Sequence, residues 1–86
     1  MTFSQIREIG AGEKVILEDG LPFLFALVSG GSDGGTLDAS PDGQAWVTIA
    51  TAVANSTAYV NGVYPVRHLR TTGSAVAIIS AMGVRT

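Results

Sequence analysis

The sequence predicts an all-β chain, a small antiparallel β-sandwich or jelly-roll-like barrel of about seven to eight short strands. Three observations carry this expectation. Eleven Gly and three Pro punctuate 86 residues. They give turn signals at Gly10-Ala11-Gly12, Asp19-Gly20, Gly30 to Gly35, Pro41-Asp42-Gly43, Asn55-Ser56, Asn61-Gly62 and Thr72-Gly73. Between the turns lie short runs rich in Val, Ile, Thr and aromatic residues, the composition of strands. No window of helix length keeps helical spacing free of an intervening Gly, apart from Ala75 to Met82. That segment is apolar on all sides, and Ile78-Ile79 favours a strand there too.

The expected strands are residues 4–9, 14–18, 23–28, 35–39, 45–50, 58–60, 66–71 and 75–81 of one domain spanning residues 1–86. Residues 1–12 form either an amino-terminal arm or an edge strand. The ends of small domains are mobile unless tied down, and an arm would add a strand to a neighbour's sheet. In the second strand Val15 and Leu17 share one face, with Lys14, Ile16 and Glu18 on the other. The third is apolar on both faces, Phe23, Phe25 and Leu27 against Leu24, Ala26 and Val28. Such a strand suits a central position or a surface covered by a partner. Pro22 precedes it, where a missing N–H costs little. Gly30-Gly31-Ser32-Asp33-Gly34-Gly35 is expected as a mobile loop between strands. A phosphate-binding P-loop would need a Lys-Ser/Thr and a helix after its last Gly, and here Thr36-Leu37-Asp38 leads into a strand.

Apolar residues make up 47% of the chain, charged residues 14%, and the net charge is −2. The chain is too apolar for disorder. Its five basic residues, Arg7, Lys14, Arg67, Arg70 and Arg85, make no stripe for nucleic acid. With no cysteine and the single histidine His68, disulfide frameworks, thiolate metal sites and multi-histidine zinc sites are excluded. Asp33, Asp38 and Asp42 lack the closing Glu of an EF-hand. One histidine and scattered carboxylates assemble no acid–base pair or nucleophile, so the chain is expected to be no enzyme, without catalytic residues, metal or cofactor. The start Met-Thr-Phe-Ser-Gln-Ile-Arg-Glu is no secretory signal. The run Leu21 to Val28 is far shorter than the roughly 20 residues of a membrane helix. No membrane partner is expected.

Ser40-Pro41-Asp42-Gly43 is the strongest turn signal. Pro presets the first turn torsion, Asp bonds back to the backbone, and Gly takes the positive φ. The segment from Thr36 through Ile49 is therefore a hairpin, with Val47 and Ile49 facing the core and Trp46 and Thr48 facing away, unless a bulge reverses the register. Leu37-Asp38-Ala39-Ser40-Pro41-Asp42-Gly43-Gln44-Ala45-Trp46-Val47-Thr48-Ile49 resembles the "strand, Ser-x-Asp-Gly-x-x-Trp, strand" hairpin of discoidin-type carbohydrate- and lipid-binding sandwiches and of small virion proteins of tailed bacteriophages. Val66-Arg67-His68-Leu69-Arg70 is similar to the "hydrophobic, Arg, aromatic, hydrophobic, Arg" strand that pairs near this hairpin in both groups. Discoidin domains are much longer, and the order of the remaining elements is similar to the head-decoration (cement) and tail-associated sandwiches of phages.

That resemblance implies a structural protein of a phage particle, made in the host cytoplasm and resident in the virion. Its expected partners are itself, as a trimer or dimer, and the major capsid or another virion protein. A small sandwich without a disulfide or metal is marginal alone, which points the same way. The candidate interface residues are Phe3 and Ile6 at the amino terminus, Phe23 and Phe25 on the two-faced strand, Trp46, Arg67 and Arg70. The two arginines either dock carboxylates or neutralise Asp38 or Asp42 on the neighbouring hairpin. An alternative is a small carbohydrate-binding, adhesive module of a tail or fibre. It would stack glycan on Trp46, Tyr59 and Tyr64, with Asp42, Asn61 and Arg70 as hydrogen-bonding neighbours.

Overall fold

A computed structural model describes residues 2–17, 23–63 and 67–84, and only the backbone of residues 2–5, 63 and 83–84. Eight strands follow one another: β1 (Thr2–Ile9), β2 (Lys14–Ile16), β3 (Phe23–Ser29), β4 (Gly35–Ser40), β5 (Val47–Ala52), β6 (Thr57–Val63), β7 (His68–Gly73) and β8 (Val76–Val84). They form two four-stranded sheets, ordered β1-β8-β3-β6 and β2-β7-β4-β5, with every pairing antiparallel. The fold is the expected all-β sandwich.

Strand alternation decides what lies between the sheets. Leu24, Ala26 and Val28 of β3 are buried and meet Ala81, Ile79 and Ala77 of β8 in register. From the other sheet come Val15, Leu37, Ala39, Ala52 and Leu69. Beyond Leu37, Leu69, Ile79, Ile9 and Val28, the inner faces are largely alanine, among them Ala26, Ala39, Ala52, Ala77 and Ala81. These alanine side chains are small, so where they line the core it relies on close approach of the sheets rather than on bulk.

The amino-terminal segment is an edge strand of this domain, β1 running against β8 from Thr2↔Val84 to Ile9↔Ala77. Half-buried Arg7 stands opposite Ile79, so a charge faces inward along that edge. Inward charges of this kind discourage further strand addition. At the far edge of the other sheet, β5 is bulged. Leu37 pairs with Ala50 and Asp38 with Thr48, leaving Ile49 without a partner. The extra residue lets Ile49 and Ala50 both pack against the core. Val47, expected to face the core, stands opposite buried Ala39 at the start of this edge strand and is 60% exposed there.

The strand β5 starts at Val47 because Asp42 holds the preceding residues out of the ladder. Its Oδ1 accepts the N–H groups of Gln44 at 2.8 Å and Ala45 at 2.9 Å. Ser40 Oγ in turn accepts the Gly43 N–H at 2.8 Å and donates to Asp42 Oδ1 at 3.0 Å. Gly43 takes φ +82°, as the turn chemistry requires.

The Gly30–Gly35 segment, expected to be mobile, is bonded along its length. Ser74 Oγ donates to Gly30 O at 2.6 Å and accepts the Asp33 N–H at 2.9 Å. Asn55 N donates to Gly31 O at 2.7 Å, and Gly30 N to Ser56 O at 2.9 Å. These bonds knit the β3–β4, β5–β6 and β7–β8 connections together. Sequence composition shows the absence of side chains here but not the carbonyls of distant turns that take up the backbone.

Candidate interaction surfaces

The two outer faces of the sandwich have opposite chemistry. On the outer face of β2-β7-β4-β5, the register brings Asp38 against Arg70, Thr36 against Thr72 and Ser40 against His68. Asp38 is 4% exposed. Its Oδ2 accepts from Arg70 Nε at 3.0 Å, and its Oδ1 accepts from Thr36 and Thr48 hydroxyls, each at 2.9 Å. The Thr36 and Thr72 hydroxyls lie 2.6 Å apart. With Thr36 donating to Asp38, Thr72 donates to Thr36.

Burial alone would raise the Asp38 pKa. The hydrogen bonds from Thr48, Thr36 and Arg70, with the Arg70 charge, outweigh it and hold the carboxyl below its usual range. The Arg70 guanidinium also stacks over Trp46, with Cζ 4.2 Å from the ring centroid, a cation–π arrangement. Trp46 faces away from the core, as expected, and covers this ion pair. Of the two readings of the arginines, Arg70 neutralises Asp38 within the chain. Arg67 lies just before β7, exposed, with its Nε donating to Leu17 O at 3.4 Å.

Asp42 sits at the end of this sheet. The N–H groups of Ala45 and Gln44, then the Ser40 hydroxyl, lower its carboxyl to about 2. Asp33, Asp38 and Asp42 are strung out before, within and after β4 rather than converging. Among the described residues no group of three or more acidic, His or Cys side chains is placed to hold a metal ion.

The outer face of β1-β8-β3-β6 is apolar and open. Four rows cross it. Phe23 lies beside Met82, Phe25 between Ser80 and Asn61, Leu27 between Ile78 and Tyr59, and Ser29 between Val76 and Thr57. Ile6 and Glu8 of β1 extend the rows of Ser80 and Ile78. Phe23, Phe25, Leu27, Val76, Ile78 and Met82 are each 40–51% exposed, and Tyr59 and Ile6 are 71% and 73% exposed. The Phe25 and Tyr59 rings are 6.3 Å apart and tilted by 32°. Glu8 is the one charge on this face among the described residues. A contiguous apolar patch of this kind marks an interaction site in soluble proteins.

Of the sequence candidates, Ile6, Phe23 and Phe25 fall on the apolar face, while Trp46 and Arg70 fall on the opposite sheet. Phe3 pairs with Gly83 in β1, and its side chain lies outside the described residues. So does Tyr64. Leu27, Val76, Ile78 and Met82 complete the face and were not singled out by sequence. The signal was present in two runs, the two-faced β3 and the all-apolar β8, which are neighbours in the sheet.

No protein-family profile matches the chain, and no curated protein resembles it in sequence. Among solved structures it is similar to the nucleoplasmin-like N-terminal domain of Drosophila FKBP39. The TM-score is 0.65 at 14% identity, over 100% of this chain and 93% of that one. It is also similar to a protein of the disulfide-linked pili of Bacillus endospore appendages, with a TM-score of 0.53 at 9% identity, over 100% and 88% of the two chains. A third likeness, to the capsular polysaccharide assembling protein CapF of Staphylococcus aureus, has a TM-score of 0.50 at 8% identity and covers 95% of this chain but 24% of that one. At such identities these likenesses establish a shared β-sandwich fold.

Proposed function

We propose that this chain is a non-enzymatic structural protein of a phage particle, decorating or cementing the capsid through oligomeric apolar contacts. The observation that carries the assembly reading is the exposed apolar outer face of β1-β8-β3-β6. The hairpin from Leu37 to Ile49, similar to that of phage virion sandwiches, supports the placement in a particle. Docking this face removes apolar surface from water in a domain too small to bury much by itself. Each partner binds only the folded form of the other, so assembly stabilises both. One structural neighbour is a pilus protein, an assembly of disulfide-linked subunits. The present chain has no cysteine, and its contacts are non-covalent.

The glycan reading is the weaker one. It needs Trp46 and Tyr59 on one platform, and the fold sets them on opposite sheets. One face of the Trp46 ring is already covered by Arg70.

Light scattering over a concentration series tests the assembly. The wild type is expected above protomer mass. Ile78→Lys, which sets a charge in the middle of the face and opposite Glu8, is expected at protomer mass with an unchanged circular dichroism spectrum. A wild type that stays at protomer mass throughout refutes assembly through this face. Mass spectrometry of purified virions tests the location, with peptides of this chain expected at the copy number of a shell protein and their absence counting against it.

A further inference from the structure

We infer that the apolar face packs on the same face of a second copy of this chain, with the strands of the two copies running in opposite directions. The inference rests on the assembly reading and names its partner. Three observations select a second copy.

The first is a gradient of bulk along the strands. At one end the face carries Phe23 and Met82, at the other Ser29, Val76 and Thr57. The small end opens into a hollow of about 530 Å³ lined by Leu27, Ser29, Thr57, Val76 and Ile78, with the exposed Glu8 and Glu13 among its other lining residues. A face that is large at one end and hollow at the other is complementary to its own reversed copy. The two-fold axis then lies in the interface and crosses the strands between the Phe25 and Leu27 rows. Phe23 and Met82 of one copy sit over the hollow of the other, and each Phe25 row meets a Leu27 row. Such an interface is isologous and closed, as two-fold interfaces are, and sheets packed face to face tolerate this alignment.

The second is charge. The charges at this contact are Glu8 at the β1 rim and Glu13 beside the hollow, both exposed, and the face carries no basic residue among the described ones. The other outer face carries Lys14, Asp42 and the Arg70–Asp38 pair, so head-to-tail stacking would bury charges against apolar side chains, which is costly. The third is area. Four strands at about 4.8 Å and seven residues at about 3.4 Å give a footprint of about 450 Å² per copy. A pair therefore covers about 900 Å² as a flat footprint, before the relief of its projecting side chains is counted, close to the roughly 1,000 Å² expected of a biological interface.

Cysteine chemistry tests the arrangement cleanly, because the chain has none of its own. Phe23→Cys and Ser29→Cys are prepared separately and treated with a short bis-maleimide, alone and mixed, with Thr51→Cys on the other sheet as control. The reversed pairing brings residue 23 of one copy over residue 29 of the other, while like positions at either end lie about 20 Å apart along the strands. Cross-linked dimer is expected from the Phe23→Cys and Ser29→Cys mixture and at least about tenfold less from either variant alone or from the control. If Phe23→Cys alone cross-links as well as the mixture, the reversed orientation is overturned. If scattering shows an oligomer but no combination cross-links, the second copy sits elsewhere and this inference fails while the assembly reading stands. A wild type at protomer mass overturns both.

Discussion

Replacing Asp38 by Asn tests the account of the polar face most directly. The two carboxylate oxygens divide their work, Oδ1 accepting from Thr36 and Thr48 and Oδ2 from Arg70. An amide keeps this geometry if its oxygen faces Arg70 and its NH2 donates to the two hydroxyls, each of which reverses. Hydrogen bonding is then preserved, and what is lost is the charge. A charge-assisted bond contributes about 1.5–3 kcal/mol against about 1 kcal/mol for a neutral one. The Arg70 side chain is 32% exposed, and water screens the pair, which brings the expected cost of Asp38→Asn to about 1 kcal/mol. For a chain of this size that lowers Tm by about 4–8 °C. Asp38→Ala strands Arg70 and both threonines and is expected to cost about 2–4 kcal/mol. The assay is thermal unfolding followed by circular dichroism from pH 7 down to pH 2. The folded pKa of Asp38 lies below its unfolded value of 3.8, so its contribution is present above that value and is lost as pH falls through the folded pKa. The gap between wild type and Asp38→Asn should therefore close toward pH 2, with the acid response of Asp42 common to both. Equal Tm values at pH 7, or a gap that does not change with pH, would refute the ion-pair argument.

Other outcomes follow from the turns and the core. Asp42 should titrate near 2 in a carboxyl-detected NMR series, with its stabilisation of the hairpin lost as pH falls from about 4 to about 2; a midpoint near 4 would mean that the Ala45 and Gln44 bonds do not form in solution. Leu37 is fully buried, and Leu37→Ala should lower unfolding free energy by about 2–5 kcal/mol in urea titration; a loss under 1 kcal/mol would mean that the sheets close over the gap. A Cβ on Gly35 would collide with the Thr72 carbonyl oxygen and approach the Ala75 methyl, so Gly35→Ala should cost about 1–3 kcal/mol by the same titration, and an unchanged midpoint would contradict the close β4–β7 approach.

Much of the fold could be read from local chemistry, and the failures have identifiable causes. All eight strands were expected because Gly, Pro and Asx signals separate them, and side-chain alternation set Val15 with Leu17 and divided Leu24, Ala26 and Val28 from Phe23, Phe25 and Leu27 without telling which set faces inward. The start of β5 was set two residues early, since Ala45 has strand-like neighbours and nothing in composition shows that its N–H is taken by Asp42. Val47 was expected inward because a strict period of two was carried across the turn. The register keeps Val47 opposite Ala39 as that period requires, but β5 is an edge strand and leaves it exposed; the bulge, fixed by pairing with β4, acts beyond it at Ile49. The apolar face was half legible. The doubled apolarity of β3 was visible, whereas its juxtaposition with β8 and with Ile6 and Tyr59 depends on pairings between residues far apart in the chain.

The pairing of the first strand with the last has a consequence for how the chain reaches its fold. The contact Thr2↔Val84 closes a loop of almost the whole sequence, and closure entropy grows with loop length, so this is the most expensive ladder to nucleate. The same pairing leaves both ends of the ladder side by side. A short peptide from Val84 to Thr2 would convert the most remote contact into a hairpin, and new ends could be opened at the exposed Ala11-Gly12 turn. Such a circular permutant should keep the sandwich while moving the order of assembly, with β1–β8 forming early instead of late.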